Sequence, residues 1–257
     1  MYQYQLNTFK WALVTGASSG IGREFAIQLA QKGLNLILVG RSNQALSDVA
    51  SEIHNKSKVS TVILQSDLTK DEDVNRLIEN LSRFNIDILV NNAGVGLYGN
   101  FLDYQLEDYE NMIRLNILAL TRLSYHYGKI FTERKNGGII NVASVAGFIP
   151  IPHFSVYAAT KAYVYSFSMS LWAELKDKNV QVLCVAPGTT KTKFFERANM
   201  KPAKKMMKTE EVVKGALDAF EKGKPLYIPG LSNKISYHLV RRLFSDKFVA
   251  NLLTKYF

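Results

Sequence analysis

Short apolar runs alternate along this chain with longer amphipathic stretches. Seven of the runs have the length and composition of buried strands, the last being the weakest: WALVTG, LNLILVG, VSTVILQ, IDILVNN, GGIINVAS, VQVLCVAP and PLYIP. Between them, apolar residues at helical spacing predict helices over residues 20–32, 44–55, 70–83, 106–133, 155–176, 209–222 and from about 233 to the end. This alternation predicts an α/β fold, in which helices cover both faces of a parallel sheet.

The length and composition suit one large domain. With 257 residues, of which 47% are hydrophobic, we predict a single domain over residues 1–257. The segment 193–209 is the least regular, and we predict that it forms a flexible flap over the cleft of the sheet. The only cysteine, Cys184, lies in an apolar run, which excludes a disulfide framework and predicts a buried strand residue.

Charge and the N-terminal sequence bear on partners and location. The run MYQYQLNTFK lacks a charged start followed by an apolar core, and no stretch of eighteen apolar residues occurs. The sequence therefore predicts neither a signal peptide nor a transmembrane helix, and we expect a cytoplasmic protein. A formal net charge of +10 favours anionic partners, which include phosphates, nucleic acid and lipid surfaces, and charge alone does not choose among them.

The tail, about 233–257, has the pattern of an amphipathic basic helix. Its apolar residues recur at helical spacing, and its basic residues accompany a single acid, Asp246: Lys234, Arg241, Arg242, Lys247 and Lys255. Such a helix either lies on an anionic lipid surface or packs against a second subunit. We favour a peripheral membrane contact.

A glycine-rich turn follows the first strand run. In TGASSGIG, residues 15–22, the glycines let backbone N–H groups approach an anion, and the helix that begins there favours negative charge. The second strand run ends in Gly40 and Arg41, where an NAD-binding fold would offer a carboxylate to the adenosine ribose. The guanidinium of Arg41 suits a 2′-phosphate instead, with an ordinary surface arginine as the alternative, so the sequence predicts NADP(H).

Tyr157 precedes Lys161 by four residues in SVYAATKAYV. On a helix, this spacing places both side chains on one face, about 5–6 Å apart at Cβ. An ammonium at that distance favours phenolate, by roughly 2 pKa units at an effective dielectric of about 20. A pKa lowered in this way would make Tyr157 a usable acid near neutral pH, and the alternative, which an isolated pair of this spacing favours, is an exposed Tyr and Lys that meet by chance.

The ordered set of motifs resembles that of the short-chain dehydrogenase/reductase family, in its core single-domain subset. The match covers roughly residues 8–195 and includes TGASSGIG, Asp67-Leu68, NNAG at 91–94, Asn116, Ser144, YAATK at 157–161 and PGTTKT at 187–192. The resemblance implies a doubly wound Rossmann fold with strand order 3-2-1-4-5-6-7 and a nicotinamide cofactor. It also implies a catalytic tetrad of Asn116, Ser144, Tyr157 and Lys161.

The chemistry of each tetrad residue also suits a role in carbonyl reduction. Hydride arriving at a carbonyl carbon leaves negative charge on oxygen, which needs a proton from Tyr157 and a hydrogen bond from Ser144. Lys161 would tune the phenol and bind the nicotinamide ribose. Asn116 would tether a water for proton relay. The alternative is a structural role, in which the Asn116 amide forms its hydrogen bonds inside the core.

The remaining motif residues are predicted cofactor contacts. For Asn91, a structural role in pinning neighbouring strands is an equal alternative, and the scattered histidines predict no metal site. The full predicted set is Gly16, Ser18, Ser19, Gly20, Ile21, Gly22, Arg41, Ser42, Asp67, Leu68, Asn91, Ala93, Gly94, Tyr157, Lys161, Pro187, Gly188, Thr189, Thr190 and Thr192.

Apolar residues near these motifs predict a lipophilic substrate pocket, with plain packing as the alternative: Leu97, Tyr98, Phe148, His153, Phe154, Phe194 and Phe195. A hydrophobic ketone, a steroid-like molecule or a 3-oxoacyl thioester would fit. Four lysines of the flap either attract the phosphates of an acyl carrier or coenzyme A, or form a solvated surface: Lys201, Lys204, Lys205 and Lys208.

These features together predict an NADPH-dependent reductase that interconverts a lipophilic ketone and a secondary alcohol. The alternative is a non-catalytic NADP(H)-sensing protein that recruits a partner or a membrane through its basic tail. No nucleic-acid recognition motif occurs, so we predict no nucleic-acid partner. The resemblance further implies a homo-oligomer, either a dimer or a tetramer.

Overall fold

The computed structural model describes residues 4–201 and 205–254, except for the side chains of residues 236 and 238–242. Within them, a seven-stranded sheet has the order β3-β2-β1-β4-β5-β6-β7, and all its pairs are parallel. This is the predicted fold and strand order. The strands are β1 (Trp11–Thr15), β2 (Asn35–Gly40), β3 (Thr61–Gln65), β4 (Ile88–Asn91), β5 (Gly137–Val142), β6 (Val180–Val185) and β7 (Leu226–Tyr227).

Ten α-helices occur in the described residues. They are α1 (Gly20–Gln31), α2 (Asn43–Lys56), α3 (Asp71–Leu81), α4 (Leu106–Ile113), α5 (Leu120–Arg134), α6 (Ser155–Leu175), α7 (Phe194–Arg197), α8 (Thr209–Glu221), α9 (Leu231–Leu243) and α10 (Asp246–Leu253). Short 3₁₀ turns lie at Leu6–Thr8, Phe101–Asp103, Val145–Phe148 and Lys176–Lys178. None of the described helices is long and apolar enough to cross a membrane.

Two predicted helices prove to be interrupted. The helix predicted over 106–133 contains a π-helical segment, Arg114–Ala119, between α4 and α5. The predicted tail helix is broken after Leu243, because the Ser245 side chain accepts a hydrogen bond from Phe248 N and begins a new helix, α10. The end of the predicted tail, residues 255–257, lies outside the described residues.

Both faces of the sheet carry a hydrophobic layer. Along β1, the buried side chains of Ala12 and Val14 face α1, α2 and α8, while the buried Leu13 faces α3, α5 and α6. Because helices cover both faces, nearly every strand position is apolar. Each aliphatic side chain that is fully buried in this way contributes about 1.5–3 kcal/mol relative to exposure. The two layers hold the strand ends, and the loops that follow them, in fixed positions.

The flap is anchored where the structure describes it. Thr190 pairs with Met207, whose carbonyl accepts from Lys191 N at 2.9 Å. Ala198 is fully buried, and its carbonyl accepts from Tyr98 N at 3.0 Å. Residues 202–204, which include Lys204, lie outside the described residues. The flap is thus held on both sides of these residues.

Candidate active site

The glycine-rich turn after β1 packs closely on the loop after β4. Gly16 adopts φ +64°, and a Cβ there would lie 2.9 Å from Ala93 Cα. The Asn92 side chain donates to the carbonyls of Thr15 and Gly16, at 3.1 and 3.2 Å. Ser19, at the N-cap of α1, makes no side-chain capping hydrogen bond, and the first turn of α1 contains no acid. The free N–H groups and the helix dipole therefore favour an anion at this point.

A cavity of about 730 Å³ extends along the carboxyl edge of the sheet from this turn to Tyr157. Parallel strands all end at this edge, which is why motifs that are distant in sequence meet here. Its volume and its glycine cradle fit a dinucleotide at one end. The predicted residues that line it are Gly16, Ser18, Ser19, Gly20, Ile21, Arg41, Asp67, Leu68, Ala93, Gly94, Ser144, Tyr157, Lys161, Pro187, Gly188, Thr189, Thr190 and Thr192.

Three residues predicted as cofactor contacts do not line the cavity. Gly22 packs under the turn, where a Cβ would lie 2.3 Å from Gly16 O. Ser42 caps α2, since its hydroxyl accepts from Ala45 N at 3.3 Å. Asn91 donates to Ser124 Oγ and to Asn141 Oδ1, at 3.0 and 2.9 Å, within the sheet and its helix layer. These hydrogen bonds link β4 to β5 and to the helix layer, as the structural alternative for Asn91 expects.

Ser144 sits at the end of β5 and is held by two loops. Its hydroxyl donates to Pro187 O at 3.4 Å and accepts from Ala146 N at 3.2 Å. The 3₁₀ turn that follows packs against α6, since a Cβ on Gly147 would lie 2.5 Å from the backbone carbonyl carbon of Lys161. Only glycine permits this approach, which brings Ser144 close to Tyr157.

Tyr157 and Lys161 lie on one face of α6, with Lys161 Nζ 5.7 Å from the phenol ring centroid. The ammonium donates to Val142 O at 2.9 Å. Burial raises the pKa of Tyr157 above its usual value, while the Ser144 side chain acts in the opposite direction. The lowering predicted from the pair alone is therefore wrong for this structure, because desolvation dominates. Burial also lowers the pKa of Lys161 to about 8, against the effect of Cys184.

Asn116 lies in the π-helical segment and does not line the cavity. Its side-chain amide donates to Val95 O at 2.9 Å and to Thr160 Oγ1 at 3.0 Å. Its Oδ1 accepts from Val95 N at 3.0 Å. Both amide hydrogens are thus used within the protein, as in the core alternative. The side chain fixes the loop after β4 against α6, beside Lys161.

The end of the cavity around Tyr157 is largely apolar. Phe154 stacks on the Tyr157 ring at 4.3 Å between centroids, and Phe194 lies 5.3 Å from it. Of the predicted pocket residues, four line the cavity: Phe148, Phe154, Phe194 and Phe195. Leu97, Tyr98 and His153 do not; Tyr98 packs behind Phe154 at 6.1 Å between ring centroids.

Helix α9 supplies two cavity residues that sequence reasoning missed, Asn233 and Tyr237. Asn233 donates to Pro229 O at 2.7 Å and packs on Gly188, where a Cβ would lie 2.5 Å from Asn233 Nδ2. The Tyr237 hydroxyl lies 2.9 Å from that of Tyr165, and its ring lies 4.5 Å from Phe148. The apolar pattern of the tail carried no signal for these inward-facing polar groups.

A doubly wound sheet with an anion cradle and a buried Tyr–Lys pair defines a nucleotide-dependent oxidoreductase. The family model described as short chain dehydrogenase matches residues 10–203, and the chain belongs to this family, which uses NAD(P)H.

Curated relatives and a solved structure are similar over most of the chain. A very-long-chain 3-oxoacyl-CoA reductase from Bos taurus is 36% identical over 72% of this chain, which spans 61% of that protein. A 17-beta-hydroxysteroid dehydrogenase type 3 from Mus musculus is 34% identical over 81% of this chain and 68% of its own length. A Sphingobium yanoikuyae short-chain dehydrogenase in complex with NADPH has a TM-score of 0.83 and 34% identity, covering 92% of this chain and 97% of its own.

Proposed function

We propose that the protein is an NADP(H)-dependent oxidoreductase that interconverts a lipophilic ketone, or a 3-oxoacyl thioester, and a secondary alcohol. One observation carries the proposal: a single cavity joins the anion cradle at Gly16–Ile21 to an apolar end where Ser144, Tyr157 and Lys161 meet. A nucleotide and a lipophilic carbonyl compound fit its two ends.

The chain's own groups suit this chemistry. When bound, the nicotinamide supplies a hydride to the carbonyl carbon. The Tyr157 hydroxyl donates a proton to the carbonyl oxygen as negative charge develops there, and the Ser144 hydroxyl donates a hydrogen bond to the same atom. Because burial raises the pKa of Tyr157, the phenol is the protonated acid at neutral pH. The Lys161 ammonium stabilises the phenolate that remains.

Charge around the cavity supports NADP(H) as the cofactor. Among the described residues that line it, Asp67 is the only carboxylate, whereas five are basic: Arg41, Lys161, Lys193, Arg197 and Lys201. At the end of β2, no acid stands where an adenosine ribose would be held, and Arg41 is exposed to receive a 2′-phosphate. The NADPH in the Sphingobium structure is consistent with this preference.

The wall around Tyr157 supports a lipophilic substrate, because the aromatic rings of Phe154, Phe194 and Phe195 meet the phenol end of the cavity. The names of the bovine and mouse relatives concern an acyl thioester and a steroid, both largely apolar. Lys201 at the cavity favours the thioester if its coenzyme A phosphates lie near the flap.

The decisive experiment is a panel of lipophilic ketones and 3-oxoacyl thioesters assayed by NADPH oxidation, with the Tyr157→Phe variant beside the native protein. The variant lacks only a hydroxyl, so its NADPH affinity should stay within twofold while turnover falls by about 10²–10⁴. Tyr125→Phe is the matched control, because Tyr125 is 72% exposed on α5 and should retain full turnover.

Near-normal turnover by Tyr157→Phe on a good substrate would contradict the assignment of the proton donor. The rival function, a non-catalytic NADP(H)-sensing protein, predicts tight NADPH binding with no turnover on any member of the panel. The same assay therefore separates the two.

We also propose that α9 and α10 contact an anionic membrane surface, with packing against a second copy of the chain as the alternative. Six large apolar side chains of this region are between 43% and 74% exposed: Leu231, Ile235, Leu243, Phe244, Phe248 and Leu252. The exposed Lys234 and Lys247 lie on the same helices. Exposed apolar area with adjoining positive charge is the pattern of helices that lie in a lipid interface.

A further inference from the structure

We infer that Arg197, at the end of α7 in the flap, is a cofactor-binding residue that grips the diphosphate of the dinucleotide. The inference rests on the nicotinamide dinucleotide cofactor of the proposed function and adds a residue that lies outside every motif of the sequence. Arg197 lines the cavity, and its guanidinium Nη1 lies 3.4 Å from Ser19 Oγ in the glycine turn. The flap thus reaches across the cavity to the predicted anion site.

The backbone before Arg197 aims the side chain in this direction. Thr192 Oγ1 accepts from Phe194 N, the first residue of α7, at 3.2 Å. Arg197 N donates to Lys193 O at 3.1 Å and closes that turn. Thr192 itself rests on the glycine turn, since a Cβ on Gly20 would lie 3.0 Å from its methyl carbon. Segment 192–197 therefore faces the start of α1 at two points.

The charge of the Arg197 guanidinium is unmatched within the described part of the chain. Among the residues that the structure describes, no ion pair joins Arg197 to a carboxylate. Its hydrogen bond to the neutral Ser19 hydroxyl uses one of five N–H donors and is longer than an ideal contact. The remaining donors form a planar fork that matches two phosphate oxygens.

The position also separates Arg197 from Arg41. Arg41 follows β2 and is placed for the 2′-phosphate, which only NADP(H) carries. Arg197 contacts the turn between β1 and α1, where the diphosphate common to NADP(H) and NAD(H) belongs in this fold. Loss of Arg197 should therefore weaken both dinucleotides, whereas loss of Arg41 should weaken NADP(H) alone.

The test measures equilibrium binding of three probes, namely NADPH, NADH and inorganic pyrophosphate, the last by displacement of NADPH. For Arg197→Gln we expect all three affinities to fall by a similar factor of about ten, with an unchanged preference for NADPH over NADH. Arg41→Gln should weaken NADPH alone. Arg197→Lys should be intermediate, because it keeps the charge and loses the fork.

Arg83→Gln serves as the matched control, because Arg83 is an exposed arginine that packs on Phe84 and does not line the cavity. Its removal lowers the net charge equally and should leave all three affinities unchanged. Binding of NADH and pyrophosphate within twofold of native by Arg197→Gln would overturn the inference. A loss confined to NADPH would also overturn it, by moving Arg197 to the 2′-phosphate. Neither outcome depends on a carbonyl substrate, so the proposed reaction stands or falls separately.

Discussion

Within one turn of α6, burial dominates the pKa values of two ionisable groups, Tyr157 and Lys161. Lys161 lies within reach of Tyr157, yet desolvation raises the pKa of the phenol and lowers the pKa of the ammonium to about 8. Both shifts disfavour the charged forms, as burial always does. The phenol therefore stays protonated across the physiological range, and the lysine is the group of the pair that titrates first as pH rises.

A pH profile at saturating NADPH tests this order of titration. The reductive rate of the native protein should fall above about pH 8, because Lys161 loses the charge that stabilises the phenolate. The raised pKa of Tyr157 places loss of its own proton above pH 10, outside this limb. In Lys161→Met, the residual rate should be lower at every pH and show no limb near pH 8. The variant should also bind NADPH more weakly, because it lacks the predicted ribose contact.

Lys129→Met is the control for this profile, since Lys129 is exposed on α5 and should retain the native limb. A limb at the same pH in Lys161→Met would show that another group titrates there. The role of Tyr157 as proton donor would then be tested by the Tyr157→Phe variant alone.

At the scale of elements, periodic patterns predicted most helices and strands, because amphipathic spacing reflects which face is buried. The predicted helix over 155–176 and the observed α6 (Ser155–Leu175) differ by one residue at the end. The interruptions of helices were not predicted, because the apolar spacing continues through the π-helical segment at Arg114–Ala119 and through the break before α10. The spacing of apolar residues shows which face of a helix is buried, but it does not show where the pattern of backbone hydrogen bonds changes.

Some residues of the candidate site were predicted from the sequence and others were missed, for similar reasons. Residues at strand ends, such as Ser144 after β5, were predicted because parallel strands end at one edge. Asn233 and Tyr237 were not, because the return of α9 to the cavity depends on packing far from the motifs in sequence. The orientation of Asn116 likewise depends on its partners Val95 and Thr160, which spacing does not reveal.

Packing of α8 on β5 offers a test of an element contact. A Cβ on Gly138 would lie 2.2 Å from Phe220 Cζ, and Phe220 is fully buried, so the ring has little room to move. Gly138→Ala should lower the free energy of unfolding by about 1–3 kcal/mol in urea titration, as overpacked cores do. Adding Phe220→Leu should restore part of that loss.

Gly128→Ala provides the matched control for this substitution. Gly128 lies within α5, and a Cβ there would meet only Leu175 Cδ1 at an ordinary 3.8 Å. Because alanine favours helix over glycine, this change should be neutral or stabilising, by up to about 1 kcal/mol. Equal stability of the Gly138 and Gly128 variants would refute the close contact between β5 and α8.

For the whole molecule, the two sides of α9 have different environments. One side contributes Asn233 and Tyr237 to the cavity, whereas Leu231 and Ile235 are 74% and 48% exposed. A net charge of +10 accompanies this exposed apolar surface. Docking through α9 and α10 would bring the cavity wall next to the lipid phase, from which a lipophilic substrate could enter. Truncation of the tail is a poor test, because it would also remove cavity wall.

Point substitutions on the outer surface avoid that difficulty. The native protein should sediment with vesicles of mixed phosphatidylcholine and phosphatidylserine and much less with phosphatidylcholine alone, since each nearby basic side chain contributes about 1 kcal/mol on an anionic surface. Ile235→Glu and Phe248→Glu should each weaken that binding about tenfold or more, because they place a carboxylate where an apolar group entered the interface. NADPH affinity should be unchanged, as neither residue lines the cavity.

Leu102→Glu is the control for these vesicle experiments, since Leu102 is 88% exposed but lies in the 3₁₀ turn Phe101–Asp103, outside α9 and α10. It should sediment as the native protein does. The membrane proposal fails if the native protein ignores anionic vesicles, or if both glutamate variants bind them normally. If the variants instead convert a dimer into a monomer in size-exclusion chromatography, the exposed apolar surface belongs to a subunit interface. The apolar area would then be covered by a second copy of the chain rather than by lipid.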